Sequence, residues 1–218
     1  MKIETLSILT ADINATTDFY RDILQLPLIA QNDISVSFQA GYSVLNFITA
    51  NDGQPTYHFA FNIPCNQIEQ ALDWLKEKVE IIPETDNNII ADFTNWNAKA
   101  FYFYDNNRNI VELIARFDLH NESDEYFSGT SIVSISEAGI PVNDVEQTCA
   151  ELKSKYGFDY FAKQPPLKGF AAMGDDEGLF IIVDINRNWY PTQQHSAAFY
   201  ISMQVIHENE KIEITYHQ

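Results

Sequence analysis

Ile8-Leu9-Thr10-Ala11-Asp12-Ile13 and Ile140-Pro141-Val142-Asn143-Asp144-Val145 carry one pattern at a constant offset: an apolar strand end running into an Asp that precedes a helix. The register holds further on, with Thr16 falling on Thr148, Tyr20 on Leu152 and Leu26 on Phe158. A repeat that spans both a strand and a helix is architecture. Upstream of the first copy, Ile3 to Leu9 alternates as a strand does. Downstream, Phe19, Tyr20, Ile23 and Leu24 recur at helical spacing behind Asp12, and Leu26-Pro27 ends that helix. A short strand near Leu28 and two longer ones, 34–39 and 42–49, complete a β-α-β-β-β order, the last two joined through Ala40-Gly41.

The same order restarts at Tyr57-His58-Phe59-Ala60-Phe61-Asn62-Ile63. An amphipathic helix over 67–79 turns Ile68, Ala71, Leu72 and Leu75 inward. Strands follow at 80–82, 88–93 and 98–114, the last interrupted by the polar turn Asp105-Asn106-Asn107-Arg108-Asn109. Residues 117–130 are rich in Asp, Glu, Asn and Ser without periodicity and read as a linker. After the repeated corner, strands at 170–173 and 179–185 complete a third module. The C-terminal stretch offers strands at 197–204 and 211–217 with no helix between them, a truncated fourth module.

With 218 residues, 45% of them apolar and 15 Phe, 11 Tyr and 3 Trp, the chain can bury a substantial core. A formal charge of −18 repels polyanions, which argues against nucleic acid or an anionic membrane surface as partner. Met1-Lys2-Ile3-Glu4 lacks the apolar stretch of a signal peptide, and no apolar run approaches bilayer length, so a cytoplasmic location is the default expectation. Cys65 and Cys149, far apart, read as reduced thiols.

Two stretches resemble the vicinal oxygen chelate superfamily, which contains glyoxalase I, bleomycin-resistance proteins and extradiol dioxygenases. Asp12-Ile13-Asn14-Ala15-Thr16-Thr17-Asp18-Phe19-Tyr20 is similar to its strand-to-helix corner. Phe103-Tyr104-Asp105-Asn106-Asn107-Arg108-Asn109-Ile110-Val111-Glu112-Leu113 is similar to its last-strand motif, commonly F-x-D-P-D-G-N-x-x-E-L. Arg108 stands where the motif has Gly, which predicts a different turn geometry. The resemblance implies an α+β fold of repeated β-α-β-β-β modules in curled mixed sheets. It divides the chain into a glyoxalase-like pair of modules over 1–118, a linker over 119–129, and a third module with a truncated fourth over 130–218.

In this superfamily two modules curl around one cavity and metal ligands come from four equivalent strand positions. Carried over, those positions fall on Thr5 and Asn46 in the first module and on His58 and Glu112 in the second, the latter two also being the catalytic candidates. His58 and Glu112 are strong ligand types, whereas Thr5 and Asn46 offer neutral oxygens suited to a hard ion. In the third module the positions fall on Glu137 and Ile181, so no second metal site is expected. His195 lies one residue ahead of the position matching His58.

What the resemblance implies about function divides in two. One reading is a metal-dependent enzyme, a lyase, isomerase or ring-cleaving dioxygenase, in which Mn, Zn, Fe or Ni chelates vicinal oxygens of a small substrate. The other is a metal-free protein that binds or sequesters a small molecule. A homodimer through exposed strand edges of the incomplete module is a further option. Several features also have plainer readings. Glu112 in the apolar run Ile110-Val111-Glu112-Leu113-Ile114 is costly to bury unpaired, and its partner could simply be His58. Tyr57, Phe59, Phe61, Trp96, Tyr102 and Tyr104 suit a core better than a cavity wall. The acidic run 118–125 lacks calcium-loop spacing, and Gly174-Asp175-Asp176-Glu177-Gly178 reads as a hairpin turn.

Overall fold

A computed structural model describes residues 1–86 and 88–216. The first module comprises β1 (Lys2–Thr10), α1 (Ile13–Asp18), β2 (Leu28–Gln31), β3 (Ser35–Ala40) and β4 (Ser43–Thr49). The second comprises β5 (His58–Ile63), α2 (Ile68–Leu75), β6 (Glu80–Ile82), β7 (Ala91–Phe93), β8 (Ala98–Tyr104) and β9 (Ile110–Arg116). The third has β10 (Ser134–Val142), α3 (Val145–Tyr156), β11 (Phe170–Asp175) and β12 (Gly178–Asp184), and the remainder β13 (Ile201–His207) and β14 (Glu210–Tyr216). The result is the mixed α+β, curled and unclosed sheet expected of repeated modules. His217, the end of the last expected strand, lies outside the described residues.

Both copies of the repeated corner are built alike. Asp12 caps α1 by accepting from the amides of Asn14 and Ala15, and Asp144 caps α3 by accepting from that of Gln147. The first helix widens into a π-helical turn over Phe19–Ile23, burying Phe19 and Tyr20. In each module the first strand lies parallel to the last: β1 to β4, β5 to β9, β10 to β12. The turn before β9 corrects the sequence reading. Arg108 adopts φ +63, the left-handed conformation a glycine takes there. Its guanidinium lies 3.6 Å over the Tyr104 ring and 2.6 Å from Glu80, contacts that offset the backbone cost.

Strand pairing sets which modules share a cavity. The first strand of module two pairs antiparallel with the first strand of module three, β5 with β10, through Ala60↔Glu137 and Phe59↔Ala138. The first strand of module one pairs instead with β13, from Lys2↔Ile206 to Ile8↔Ile201, and among the described residues its ladder with β10 is the single pair Ile3↔Ile135. Modules one and two, grouped over 1–118 from the sequence, therefore sit in different cups. The physical reason is the long-range ladder: a strand edge accepts any partner of matching pattern, and nearness in sequence does not select it.

Residues 119–129 are tied down rather than free. The Asn121 side chain accepts from the Cys65 amide, Gln67 donates to the Glu125 carbonyl, and Phe127 packs on Trp74 at 5.4 Å. Both cysteines are buried and unpaired. No helix among the described residues is long and apolar enough to cross a membrane.

Candidate metal centre

β9 alternates faces. Val111, Leu113 and Ala115 join the main core under the helices, while Ile110, Glu112, Ile114 and Arg116 face into the cup. On β5, His58 lies beside Ile110 and Ala60 beside Glu112, so both face the same way. Ala60 also pairs with Glu137 of β10. Glu112 and Glu137 thus flank a methyl group and reach over it towards each other, with His58 one pair further along β5. The three donor sets lie within 4.8 Å of one another, all buried.

His58 is held by its far nitrogen. Nδ1 is 3.1 Å from the Ile110 carbonyl, which can only accept, so Nδ1 carries the proton and the Nε2 lone pair points to Glu112 Oε2 at 3.6 Å. Burial pushes His58 down to about 4, so the imidazole is neutral at pH 7. Glu112 is driven the other way. Burial first, then the charge of Glu137, raise it well above the ordinary carboxylate value, against Arg116 and the Tyr102 hydroxyl. Glu137 is also raised by burial, with Arg116 opposing.

Arg116 is fully buried and forms a short ion pair with Glu137. A β-bulge between Ile135 and Glu137 brings Ser136 as well to the guanidinium, whose Nε donates to Ser136 Oγ at 3.2 Å. Its other nitrogen, Nη1, lies 3.6 Å from Asp176, which Lys163 also grips at 2.7 Å. The hairpin turn 174–178 is thus a counter-charge for this arginine.

Above the donors is a cavity of about 220 Å³, lined by Trp96, Tyr102, Ile181 and, from the 185–196 loop, Trp189 and Tyr190. Trp189 covers His58 at 5.1 Å between ring centroids. It fits because position 139, beside His58, is glycine: a Cβ there would stand 2.6 Å from the indole. The aromatics divide accordingly. Phe59 and Phe61 belong to the core, Trp96 and Tyr102 line the cavity, and Tyr104 lies beneath Arg108.

His58 and Glu112, paired from the sequence, do meet. Thr5 and Asn46 do not line this cavity. They sit on β1 and β4 in the cup shared with β13, where Thr5 pairs with Gln204 and Asn46 is engaged by Ser37 at 2.9 Å and Ser7 at 3.2 Å. Glu137 takes the place expected of them, because module three, not module one, lies against β5. His195 is exposed near the end of the 185–196 loop and does not line the cavity. The signal for Glu137 was present: like Glu112, it is a lone carboxylate in an apolar strand, and what the sequence withheld was its neighbour.

These donors suit a divalent cation. Nitrogen and oxygen ligands sit about 2.0–2.2 Å from such an ion, so ligands of one coordination sphere lie about 3 to 4.4 Å apart, close to the spacing present. Ile181, at the fourth strand position, contributes no donor and leaves that side open.

A curled pair of β-α-β-β-β modules with a His/Glu/Glu cluster at the cup floor defines a vicinal-oxygen-chelate type of protein. The chain belongs to the Glyoxalase/Bleomycin resistance protein/Dioxygenase superfamily, whose profile matches residues 2–113. Among solved structures, a candidate dioxygenase from Bacillus subtilis subsp. subtilis str. 168 superposes with TM-score 0.64 at 14% identity, over 99% of this chain and 84% of that one. Glyoxalase I from Zea mays does so with TM-score 0.59 at 14% identity, over 95% and 76%. At such identities the likeness is one of fold. No protein of curated function matches the chain in sequence.

Proposed function

We propose that the chain is a metal-dependent enzyme that holds a divalent ion through His58, Glu112 and Glu137 and acts on a small substrate with vicinal oxygens. The observation that carries this reading is the buried three-donor cluster at the floor of an aromatic cavity. Two carboxylates and one imidazole form an oxygen-rich set that accommodates Mn²⁺, with zinc, iron and nickel held more tightly at equal availability. The ion, when bound, supplies Lewis acidity, polarising the chelated oxygens and stabilising negative charge that develops on them.

The remaining work falls to the protein. His58 presents Nε2 because Ile110 fixes its tautomer. Arg116 holds one oxygen of Glu137, leaving the other for the cation. Trp96, Tyr102 and Trp189 exclude water and confine a flat apolar body. Charge supports the reading: two carboxylates against one guanidinium leave a surplus negative charge, and burial together with the charge of Glu137 pushes Glu112 towards its protonated form. A divalent ion would reverse that surplus and make the floor attractive to an anionic chelate.

One observation favours a second reading. Arg116 already pairs with Glu137, so protonated Glu112 would leave the site neutral without any ion, as a metal-free binding protein requires. Elemental analysis of purified wild type and His58→Ala separates the two. Stoichiometric metal lost in the variant supports the enzyme. Metal-free wild type that takes up no Mn²⁺ on titration contradicts it.

A further inference from the structure

The chain has four arginines among 31 acidic residues. Arg21 pairs with Asp18 and Asp22, Arg108 with Glu80, and Arg116 with Glu137. Arg187 forms no ion pair among the described residues; its guanidinium lies 5.0 Å over the Phe170 ring and borders the cavity. It is the one cation among the residues lining that cavity. An unpaired arginine is out of character in so acidic a chain, and the planar guanidinium fork matches a carboxylate.

A second observation sits beside it. Asn188 also lines the cavity, donates its amide to Gln193 at 2.9 Å, and leaves Oδ1 buried with no hydrogen-bond partner. With Oδ1 enclosed, a ligand's O–H or N–H reaches it once the Asn188 side chain turns towards the cavity, a rotation favoured because it relieves an unpaired buried acceptor. Between these two residues and the donor cluster lie aromatic walls and about 220 Å³, enough for a single ring.

Resting on the reading of this cavity as a substrate site, we propose that the substrate is a small aromatic acid. Its carboxylate is held by Arg187, a ring-borne donor reaches Asn188, and the opposite edge faces His58, Glu112 and Glu137. The 185–196 loop is then the specificity element, carrying Arg187, Asn188 and Trp189 together.

The test uses 3-hydroxybenzoate and its neutral counterpart 3-hydroxybenzamide, titrated by calorimetry into chelator-treated and Mn²⁺-loaded full-length protein, as wild type, Arg187→Gln and Arg187→Lys. Arg187 is exposed, so its replacement leaves the fold intact. The expected result is acid bound about tenfold or more tighter than amide by wild type, including the chelator-treated sample, where no ion can hold the carboxylate. Arg187→Gln should erase the preference and Arg187→Lys keep part of it. Equal binding of acid and amide, binding of neither, or a preference that survives Arg187→Gln overturns the proposal. The acid preference without Mn²⁺ uptake would leave the anchor standing and remove the metal-enzyme reading. Mn²⁺ uptake without the preference would do the reverse.

Discussion

Glu112 is where function and stability oppose each other. Its folded pKa is raised, so its contribution to stability is present below the unfolded value of 4.5 and is lost as pH rises through the folded value. Glu112→Gln keeps the shape and removes the charge. We expect it to raise the melting temperature of the metal-free protein at pH 7–8 by about 2–4 °C for each kcal/mol recovered, with little gain near pH 4.5, and to weaken Mn²⁺ binding, as read by calorimetric melts across pH. His58 works at the other end: lowered from 6.5 to about 4, it costs stability as pH falls through 6.5 towards 4, a loss that His58→Gln should flatten. Arg116→Met should cost about 3–5 kcal/mol in urea unfolding by leaving Glu137 uncompensated, and adding Glu137→Gln should restore much of that. At this scale the sequence was legible where a polar residue interrupts an apolar strand, as at His58 and Glu112. It misled at Arg108, where ring stacking and Glu80 let a bulky residue keep a glycine's conformation.

Among the elements, the 185–196 loop rests on a single absent side chain. Gly139→Ala would place a Cβ 2.6 Å from Trp189 and 2.9 Å from the His58 carbonyl oxygen. We expect a loss of about 1–3 kcal/mol and red-shifted, more solvent-exposed tryptophan fluorescence as Trp189 is displaced from His58. Helices and most strands could be read from periodicity and caps, since those signals are local: Asp12 and Asp144 each announce a helix in sequence and cap it in space. The 119–129 segment could not. Its polar composition resembles a linker, yet Asn121 and the backbone of Ser123 and Glu125 satisfy the start of α2, and Phe127 meets Trp74 edge to face. Composition reports solubility and leaves backbone partners unstated.

For the molecule as a whole, the decisive fact is that β5 takes β10 as neighbour and β1 takes β13. The repeat revealed how many modules there are, and their internal order, because each is a local unit. Which modules share a cup depends on ladders between residues more than 70 positions apart, such as Ala60 and Glu137, and no local pattern carries that. Consequently the first two modules alone cannot complete the site. A fragment ending at residue 118 should take up no stoichiometric Mn²⁺ even where circular dichroism shows strand structure, because Glu137 and the covering loop are missing.

A metal centre between the second and third modules, as proposed, is checked by Mn²⁺ titration followed by electron paramagnetic resonance on wild type, Glu137→Gln and Asn46→Ala. Glu137→Gln retains the side-chain volume and a hydrogen-bonding oxygen for Arg116. We expect one bound Mn²⁺ in wild type and in Asn46→Ala, and affinity reduced about 10- to 100-fold or more in Glu137→Gln. Binding unchanged in Glu137→Gln but lost in Asn46→Ala would contradict that placement and return the centre to the first two modules.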